Sequence, residues 1–223
     1  MAEAIKSSRG GRRYDASRRR QRADETRRAV VARARELFQE QGYAGTTIAQ
    51  IAGAVGVSPE LVYKSFGGKP GLVRAIYDEA LLGSGAVPAE ERSDQAQATT
   101  TDARALMQTF GRFVAEVSRL GAPVYLLIRE AAANGDAEMR ALREDVDASR
   151  YERMLHNARQ VLGRGLLRTG LSATEVADVF FAVTSAGLYE TLVLQRGWTP
   201  ERLGAFVATT LTAALVEEGS RDE

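Results

Sequence analysis

The sequence predicts an all-α protein, and three features of the chain carry that prediction. Apolar residues recur at three- and four-residue spacing in successive segments from about residue 24 to the last helix. No segment alternates apolar and polar residues over more than a few positions, as a half-buried strand would. Two Ser/Thr-x-x-Glu/Gln capping boxes also mark helix starts, at Thr47–Gln50 and at Ser172–Glu175.

Composition excludes several classes of protein. The chain has 223 residues, 44% of them hydrophobic and 26% charged, which is typical of a globular protein. It contains no Cys and one His, so thiol catalysis and cysteine-based zinc sites are excluded, and we expect no cofactor and no metal. No apolar run approaches the roughly 18 residues that cross a bilayer, and no secretory signal is visible, so we expect a cytoplasmic protein without a membrane partner.

The N-terminal segment is strongly basic, although the formal net charge of the chain is only +1. Residues 1–22 combine Gly, Ser and Arg with almost no large apolar residue, so we expect a disordered arm. Such a local concentration of arginine indicates contact with a polyanion. The alternative interpretation is a solubilising tail.

The first helix is expected to begin near Asp24, a good capping residue, and to end before Gly42. Residues 46–66 then predict two short helices joined by a tight turn. The first is capped by Thr47 and has an apolar face. The second is capped by Ser58 and begins with Pro59, where a missing N–H is tolerated.

The turn between these two helices contains Gly56, at a position that favours a residue tolerating positive φ. Two helices joined in this way form a helix-turn-helix, whose second helix enters the major groove of DNA. We therefore expect the basic arm, through Arg18, Arg19 and Arg20, to contact the DNA backbone or minor groove.

A second domain is expected after the helix-turn-helix. Gly67-Gly68 ends the recognition helix, and Lys69-Pro70 begins a fourth helix that reaches about Leu81. Residues 84–101 are small, polar and without periodicity, so we expect a linker between a DNA-binding domain at 23–83 and a helical domain at 102–223. The helices expected in the latter run from about Leu106 to Gly121, Tyr125 to Ala133, Asp136 to an end around Gly163–Gly170, Ser172 to about Arg196, and Thr199-Pro200 onward.

The helix from Ser172 to Arg196 is apolar on two faces, so it is expected to be covered on both. One face would pack within its own domain and the other against a second subunit, since two-fold dimers are the commonest oligomers. The alternative is a central helix inside a single core. The residues expected at a dimer interface are Phe181, Ser185, Leu188, Leu192, Val207 and Leu211.

The helix-turn-helix and its flanks contain particular residue types at fixed spacings. These positions are Phe38, Gly42, Tyr43, Thr46, Thr47, Ile48, Ile51, Ala52, Gly56, Val57, Ser58, Leu61, Val62, Tyr63, Phe66, Lys69 and Leu72. The segment from Asp24 to Leu82 thereby resembles the N-terminal signature of the TetR family of transcriptional regulators. Leu61, Ser65 and Pro70 depart from that signature, so no operator sequence is carried over from a relative.

The resemblance implies a regulator, more often a repressor, that binds a near-palindromic DNA operator as a homodimer. It also implies that a small molecule bound in the C-terminal domain changes the spacing of the two recognition helices and releases the DNA. Two other classes are weaker alternatives, an enzyme and a DNA-binding protein that responds to no ligand. The sequence has no Walker A motif and no residues for a nucleophilic triad, and its long second domain exceeds what a plain dimer needs.

Helical spacing assigns roles on the recognition helix. With Val62 and Phe66 inward, Glu60 and Lys64 point outward, with Leu61 and Tyr63 on the flanks. We expect Glu60, Leu61 and Lys64 to contact bases, whereas a surface ion pair between Glu60 and Lys64 is the alternative. The resemblance implies phosphate contacts for Tyr63 and Lys69. The full set of expected DNA contacts is Thr46, Thr47, Ser58, Pro59, Glu60, Leu61, Tyr63, Lys64, Lys69, Arg18, Arg19 and Arg20.

An effector pocket is expected among inward-facing residues of the second domain, with a few polar groups in an apolar lining. The candidate residues are Met107, Phe110, Tyr125, Met154, His156, Phe180 and Thr184. Plain core packing is the alternative for each of them, and for His156 it is a surface position.

Overall fold

The structure, a computed structural model, describes residues 9–217, with side chains described from residue 18 onward. All regular structure in this range is helical, which confirms the predicted all-α class. The elements are α1 (Arg9–Gly45), α2 (Ile48–Val55), α3 (Pro59–Phe66), α4 (Lys69–Leu81), α5 (Ala89–Thr99), α6 (Ala103–Ala133), α7 (Ala137–Gly163), α8 (Ala173–Val183), α9 (Ala186–Tyr189), a π-helix (Glu190–Gln195) and α10 (Pro200–Leu215).

Packing divides the chain into two compact units, and the division falls within α4, between Ile76 and Tyr77. In the first unit, α2 packs against α1 and α3. Its core consists of apolar side chains that helical periodicity places inward. They are Val30, Val31, Ala34, Leu37, Phe38, Ile48, Ile51, Ala52, Val62, Leu72, Val73 and Ile76.

Helix α1 is longer than the sequence predicted. Its backbone is helical from Arg9, so the expected disorder of residues 1–22 is wrong for residues 9–22, and the first eight residues lie outside the described range. Arginine, alanine and glutamine are good helix formers, which allows an exposed extension without a core of its own. The predicted end is closer to the structure, since Gly42 has φ 70° and interrupts the helix there.

Residues 84–101 contain a helix rather than the predicted irregular linker. Helix α5 packs against α6 and α7, and its buried residues are Ala89, Ser93 and Gln97, four positions apart. Two of these three side chains are polar, so the helical period is not visible as an apolar pattern. The Gln97 amide is satisfied in part by Asn157 of α7, to whose Oδ1 it donates at 3.1 Å.

Helix α6 is continuous through the positions at which two helices were predicted. Gly121 and Pro123 both lie inside it. A proline removes one backbone hydrogen bond from a helix interior and usually bends it, but it does not force an end. Burial on both sides of Pro123, of Phe110 before it and Ile128 after it, stabilises the single helix.

The apolar stretch predicted as one helix from Ser172 to Arg196 is divided. Helix α8 ends at Thr184, whose hydroxyl donates to the carbonyl of Phe180 at 2.8 Å, and Ser185 caps α9. Thr and Ser side chains compete for backbone groups in this way, which explains the interruption. The stretch Ala173–Gln195 is long and apolar enough to cross a bilayer by length and composition, which corrects the expectation that no apolar run approaches that length. Val176 and Phe180 of this stretch lie in the core of the second unit.

The core of the second unit joins α6, α7, α8 and α10. Its closest helix crossing is between α6 and α10, where Gly111 and Gly204 face each other. A Cβ on either glycine would collide with the backbone carbonyl oxygen of the other. The absence of both side chains therefore allows the two helix backbones to approach closely.

Candidate nucleic-acid interface and effector site

The helix-turn-helix has the capping geometry that the sequence predicted. Thr47 and Gln50 form a reciprocal capping box at the start of α2, and the Ser58 hydroxyl accepts from the backbone N–H of Leu61 at 3.3 Å. Gly56 has φ 75°, and the next N–H, that of Val57, donates to the Ala52 carbonyl at 3.0 Å. The turn is thereby fixed at both of its ends, which orients α3 on α2.

The inward and outward faces of α3 are those expected from helical spacing. Val62 is 1% exposed, whereas Leu61 and Tyr63 are 43% and 55% exposed. Glu60 and Lys64 are also exposed. Side chains that are solvated in the free protein and project from one helix are available to the edges of bases in a groove.

Glu60 and Lys64 do not form the ion pair that was the alternative explanation for them. No contact within 4 Å joins the two groups in the described part of the chain. Instead, hydrogen bonds from the backbone N–H of Glu60 and from the Ser58 hydroxyl lower the pKa of the Glu60 carboxyl. The Lys64 ammonium therefore lies beside no neutralising partner on its own helix.

Two threonines at the start of α2 have different environments. Thr46 is completely buried, and its hydroxyl donates to the carbonyls of Gly42 at 2.9 Å and Leu37 at 3.2 Å. Its predicted contact with DNA is therefore wrong, because the hydroxyl is consumed in joining the end of α1 to α2. Thr47 is exposed at a helix N-terminus, as a phosphate contact requires.

Lys69 is only partly exposed at the start of α4. Its Nζ donates to the backbone carbonyl of Tyr43 at 2.8 Å and lies 4.2 Å from the centroid of the Tyr43 ring. One of its three N–H donors is thus used within the protein, which the sequence did not indicate. Pro59 is also partly exposed, and Ser58 is exposed.

Arg27 is a residue of this site that sequence reasoning did not assign. From α1 it donates to the carbonyl of Ser65 at 3.0 Å, and its guanidinium lies 4.3 Å from the centroid of the Phe66 ring. It therefore attaches the C-terminal end of α3 to α1. Arg18, Arg19 and Arg20 are exposed on the N-terminal part of α1, so they lie on a helix rather than on a flexible arm.

Comparison with known proteins agrees with this geometry. Residues 30–76 match the sequence profile of a family described as bacterial regulatory proteins, tetR family. The chain carries the N-terminal domain of the TetR family. Proteins of that family are DNA-binding transcriptional regulators. No curated protein matches the sequence of this chain.

Solved structures of TetR-type regulators share the fold across most of the chain. A complex of SmeT, the repressor of a multidrug efflux pump of Stenotrophomonas maltophilia, with triclosan has a TM-score of 0.68 and 22% identity over 87% of this chain and 93% of that one. NalD of Pseudomonas aeruginosa, the secondary repressor of a multidrug efflux pump, has a TM-score of 0.63 and 18% identity over 89% and 99%.

FadR of Bacillus subtilis in complex with stearoyl-CoA has a TM-score of 0.63 and 16% identity over 82% of this chain and 96% of that one. These identities are low, so the three likenesses establish the TetR fold and not a shared ligand.

In the second unit, the predicted pocket residues are not one group. Met107, Phe110 and Phe180 are buried in the core, with the two phenyl rings edge to face at 5.2 Å between centroids. His156 is exposed, and its Nε2 lies 3.3 Å from the Asp94 carboxylate, so its placement in a pocket is wrong. Apolar periodicity describes the sequence neighbours of His156 and gives no information on where His156 itself lies.

Of the remaining three candidates, Thr184 lies at the end of α8 beside Met154 of α7, and Tyr125 lies on α6. The Thr184 hydroxyl is 4.0 Å from the Met154 sulfur. The Tyr125 hydroxyl donates to the Asp147 carboxylate, at 2.7 Å to Oδ1 and 2.9 Å to Oδ2. Burial, followed by this hydrogen bond, raises the pKa of Tyr125 to about 12, so the phenol stays protonated at neutral pH.

The predicted dimer residues also separate into two groups. Val207 and Leu211 are at most 1% exposed in the core of their own chain, so their assignment to an interface is wrong. The others remain partly exposed; they are Phe181, Ser185, Leu188 and Leu192. The exposed apolar side chains near the C-terminus were not predicted. They are Leu194, 56% exposed, and Phe206, 40% exposed, whose ring stacks edge to face on Trp198.

Proposed function

We propose that this protein is a ligand-responsive repressor that binds a near-palindromic operator as a homodimer. The observation that carries the proposal is the outward face of α3, where Glu60, Leu61 and Lys64 are exposed and unpaired with one another on a helix fixed at both ends. These are the residue types that read cytosine, thymine and guanine in the major groove.

Phosphate contacts would position this helix on the duplex. Tyr63 is exposed beside the base-reading residues, and Thr47 offers a hydroxyl at the start of α2. Lys69 retains two N–H donors beyond the one that it gives to Tyr43. Arg18, Arg19 and Arg20 would contact the backbone further along the duplex from their helical positions on α1.

Dimerisation through the C-terminal helices is supported by the apolar side chains that the chain leaves exposed there. Leu194 and Phe206 lie on the π-helix and α10, respectively, and Leu188 and Leu192 are partly exposed on the preceding segment. The π-helix and α10 are in contact, and exposed apolar side chains on neighbouring segments are typical of interaction surfaces. A two-fold pairing of this surface would give each half-site of an operator its own α3.

Response to a small molecule is supported by the second unit, which is larger than a dimerisation element requires. Related folds occur in complexes with triclosan and with stearoyl-CoA. By analogy we propose an apolar effector with few polar groups for this chain, bound among α6, α7 and α8.

The proposal is tested with duplexes that the full chain selects from a random pool. Sedimentation of the selected duplex with the protein is expected to show two chains on each duplex. A library of apolar compounds is then screened for those that dissociate the complex. A monomer on the duplex would contradict the dimer, and a library without any active compound would contradict ligand response.

A further inference from the structure

Arg150 of α7 is a partly buried cation with an unusual set of partners. Its Nη1 donates to the carbonyl of Thr184 at 3.2 Å, and its Nη2 donates to the carbonyl of Phe181 at 3.3 Å. Its Cζ lies 3.7 Å from the centroid of the Phe181 ring. The guanidinium is therefore held flat against an aromatic ring at the point where α8 ends.

No carboxylate contacts this guanidinium directly. In the described part of the chain, no Asp or Glu oxygen lies within 4 Å of Arg150. Asp147 is near enough for its charge to raise the pKa of Arg150, but its carboxylate accepts a hydrogen bond from the Tyr125 hydroxyl rather than from the guanidinium. Burial has the larger effect and lowers the pKa of Arg150, but an arginine remains charged at neutral pH, so the guanidinium itself keeps its positive charge.

The guanidinium also has an unused donor. Its Nε is buried and makes no hydrogen bond to another described group. A buried N–H of a charged group requires an acceptor, and a negatively charged one compensates both the donor and the charge. Two nitrogens of the Arg150 guanidinium, Nη1 and Nη2, thus donate to carbonyls, while the third, Nε, has no acceptor among the described groups.

One side of Arg150 is apolar and includes two of the predicted pocket residues, while Asp147 and Tyr125 lie near enough to act on its charge. Thr184, whose carbonyl it contacts, has its hydroxyl 4.0 Å from the Met154 sulfur, and the Phe181 ring covers one face. The ring of Tyr151 packs against Phe181, 5.6 Å between centroids. A single guanidinium beside an aromatic face suits a planar, singly charged anion such as a carboxylate.

We propose that Arg150 is the anion-binding residue of the effector site, and that the effector is a carboxylate joined to an apolar body. This inference rests on the proposed ligand-responsive function. Because the same guanidinium holds the carbonyls of Phe181 and Thr184, pairing with a carboxylate would alter the contacts at the junction of α8 and α9. Effector binding is thereby connected to the helices on which the proposed dimer surface lies.

The rival explanation is that Arg150 only caps the carbonyl end of α8, as basic residues at helix C-termini do. The two explanations differ in the charge of the molecules that bind. A purely structural arginine would give no preference for anionic compounds, and its replacement would change stability without changing ligand selectivity.

The test uses the full chain and matched pairs of compounds, each a carboxylate and the primary amide of the same skeleton, such as naphthalene-2-carboxylate and dodecanoate with their amides. Binding is measured by calorimetry and by the shift in melting temperature. We expect at least one skeleton whose carboxylate binds at least tenfold more tightly than its amide, and we expect Arg150→Met to abolish that difference. Arg159→Met, at an exposed position on the same helix, is the control and should preserve it.

Arg150→Lys keeps the charge but not the planar fork of donors. It is the second test variant, used in place of Arg150→Met if that protein does not fold. We expect it to weaken carboxylate binding at least fivefold with little change for amides. Equal affinities within every pair, no binding by any carboxylate, or unchanged selectivity in the Arg150 variants would overturn the proposal. If amides bind and release the protein from the duplex, ligand response is supported even though the carboxylate proposal fails. If carboxylates bind through Arg150 but do not release the protein from the duplex, only the proposed ligand response is refuted.

Discussion

The Lys69 ammonium donates to the backbone carbonyl of Tyr43 at 2.8 Å while lying 4.2 Å from the centroid of the Tyr43 ring. This contact joins the start of α4 to the segment that follows the Gly42 interruption of α1. A hydrogen bond from a charged donor and a cation–π contact stabilise the same pair of segments. A residue that the TetR resemblance assigns to the DNA backbone is thus also a structural link.

Replacement of Lys69 separates these two roles. We expect Lys69→Met to lower the free energy of unfolding by about 1–2 kcal/mol, because the charged hydrogen bond and the ring contact are lost. We also expect weaker binding to all duplexes, with the slope of log affinity against log salt reduced by about one. Denaturant unfolding and salt-dependent anisotropy measure the two effects. An unchanged salt slope would show that Lys69 does not reach a phosphate.

Thr46 and Thr47 provide a matched pair of substitutions. Thr46→Val removes the buried donor to the carbonyls of Gly42 and Leu37, so we expect a loss of about 1–3 kcal/mol in stability. DNA affinity, corrected for the folded fraction, should stay unchanged. Thr46→Ser keeps the donor and is the control. A Thr46→Val protein that is fully stable but binds DNA poorly would show that Thr46 does contact DNA, contrary to its burial in the structure.

The part of the fold that the sequence predicts correctly depends on interactions between residues close together in the chain. Thr47, Gly56 and Ser58 fix the helix-turn-helix through capping and a positive φ, which depend only on nearby residues. Helix α5 was not predictable in the same way, because its buried Ser93 and Gln97 are polar, and the Gln97 amide donates to Asn157, which is distant in sequence. Long-range partners leave no periodic signal.

The candidate sites show the same limit. Helical spacing identified Glu60 and Lys64 as outward residues, since that requires only the phase of one helix. It misplaced Val207 and Leu211, because an apolar face can meet the core or a partner with the same pattern. The contact of Arg150 with the end of α8 joins residues more than 30 positions apart, so no local pattern indicated it.

The crossing of α6 and α10 predicts sensitivity to a single methyl group. Gly111→Ala or Gly204→Ala places a Cβ against a backbone carbonyl of the other helix, which cannot move aside as a side chain does. We expect each to lower the free energy of unfolding by about 2 kcal/mol or more, as overpacking does. Gly163→Ala is the control, because a Cβ there meets nothing within 4 Å, and it should be neutral or slightly stabilising. Chemical denaturation of the three variants measures this, and equal stabilities would contradict the close crossing.

The acid stability of the second unit should depend on Glu116. Arg92 donates to both oxygens of this carboxylate, at 3.0 and 2.7 Å, and the hydrogen bonds from Arg92 and Ser84 lower the pKa of Glu116 to about 2 despite partial burial. A lowered pKa means that the stabilisation is complete above the ordinary value of 4.5 and is lost as the pH falls toward 2. We expect the contribution to be on the order of 1 kcal/mol, because solvent screens the pair.

Glu116→Gln tests this dependence through unfolding at pH 7, 4.5 and 2.5. The variant is expected to be less stable than the wild type at pH 7 and to approach it at the lowest pH. Glu36→Gln, at an exposed ion pair within one turn of α1, is the control and should change little. A constant stability difference between Glu116→Gln and the wild type across the pH range would contradict the assignment.

The outward face of α3 is tested most directly by the motif that the protein selects from a random pool of DNA duplexes, compared between the wild type and Lys64→Ala. The wild type is expected to select a near-palindromic motif with two half-sites, and the variant to lose preference at one base pair in each half-site, at a cost of about 1–3 kcal/mol there. An asymmetric wild-type motif, or one that Lys64→Ala leaves unchanged, would contradict the proposal that a dimer reads its operator through this helix.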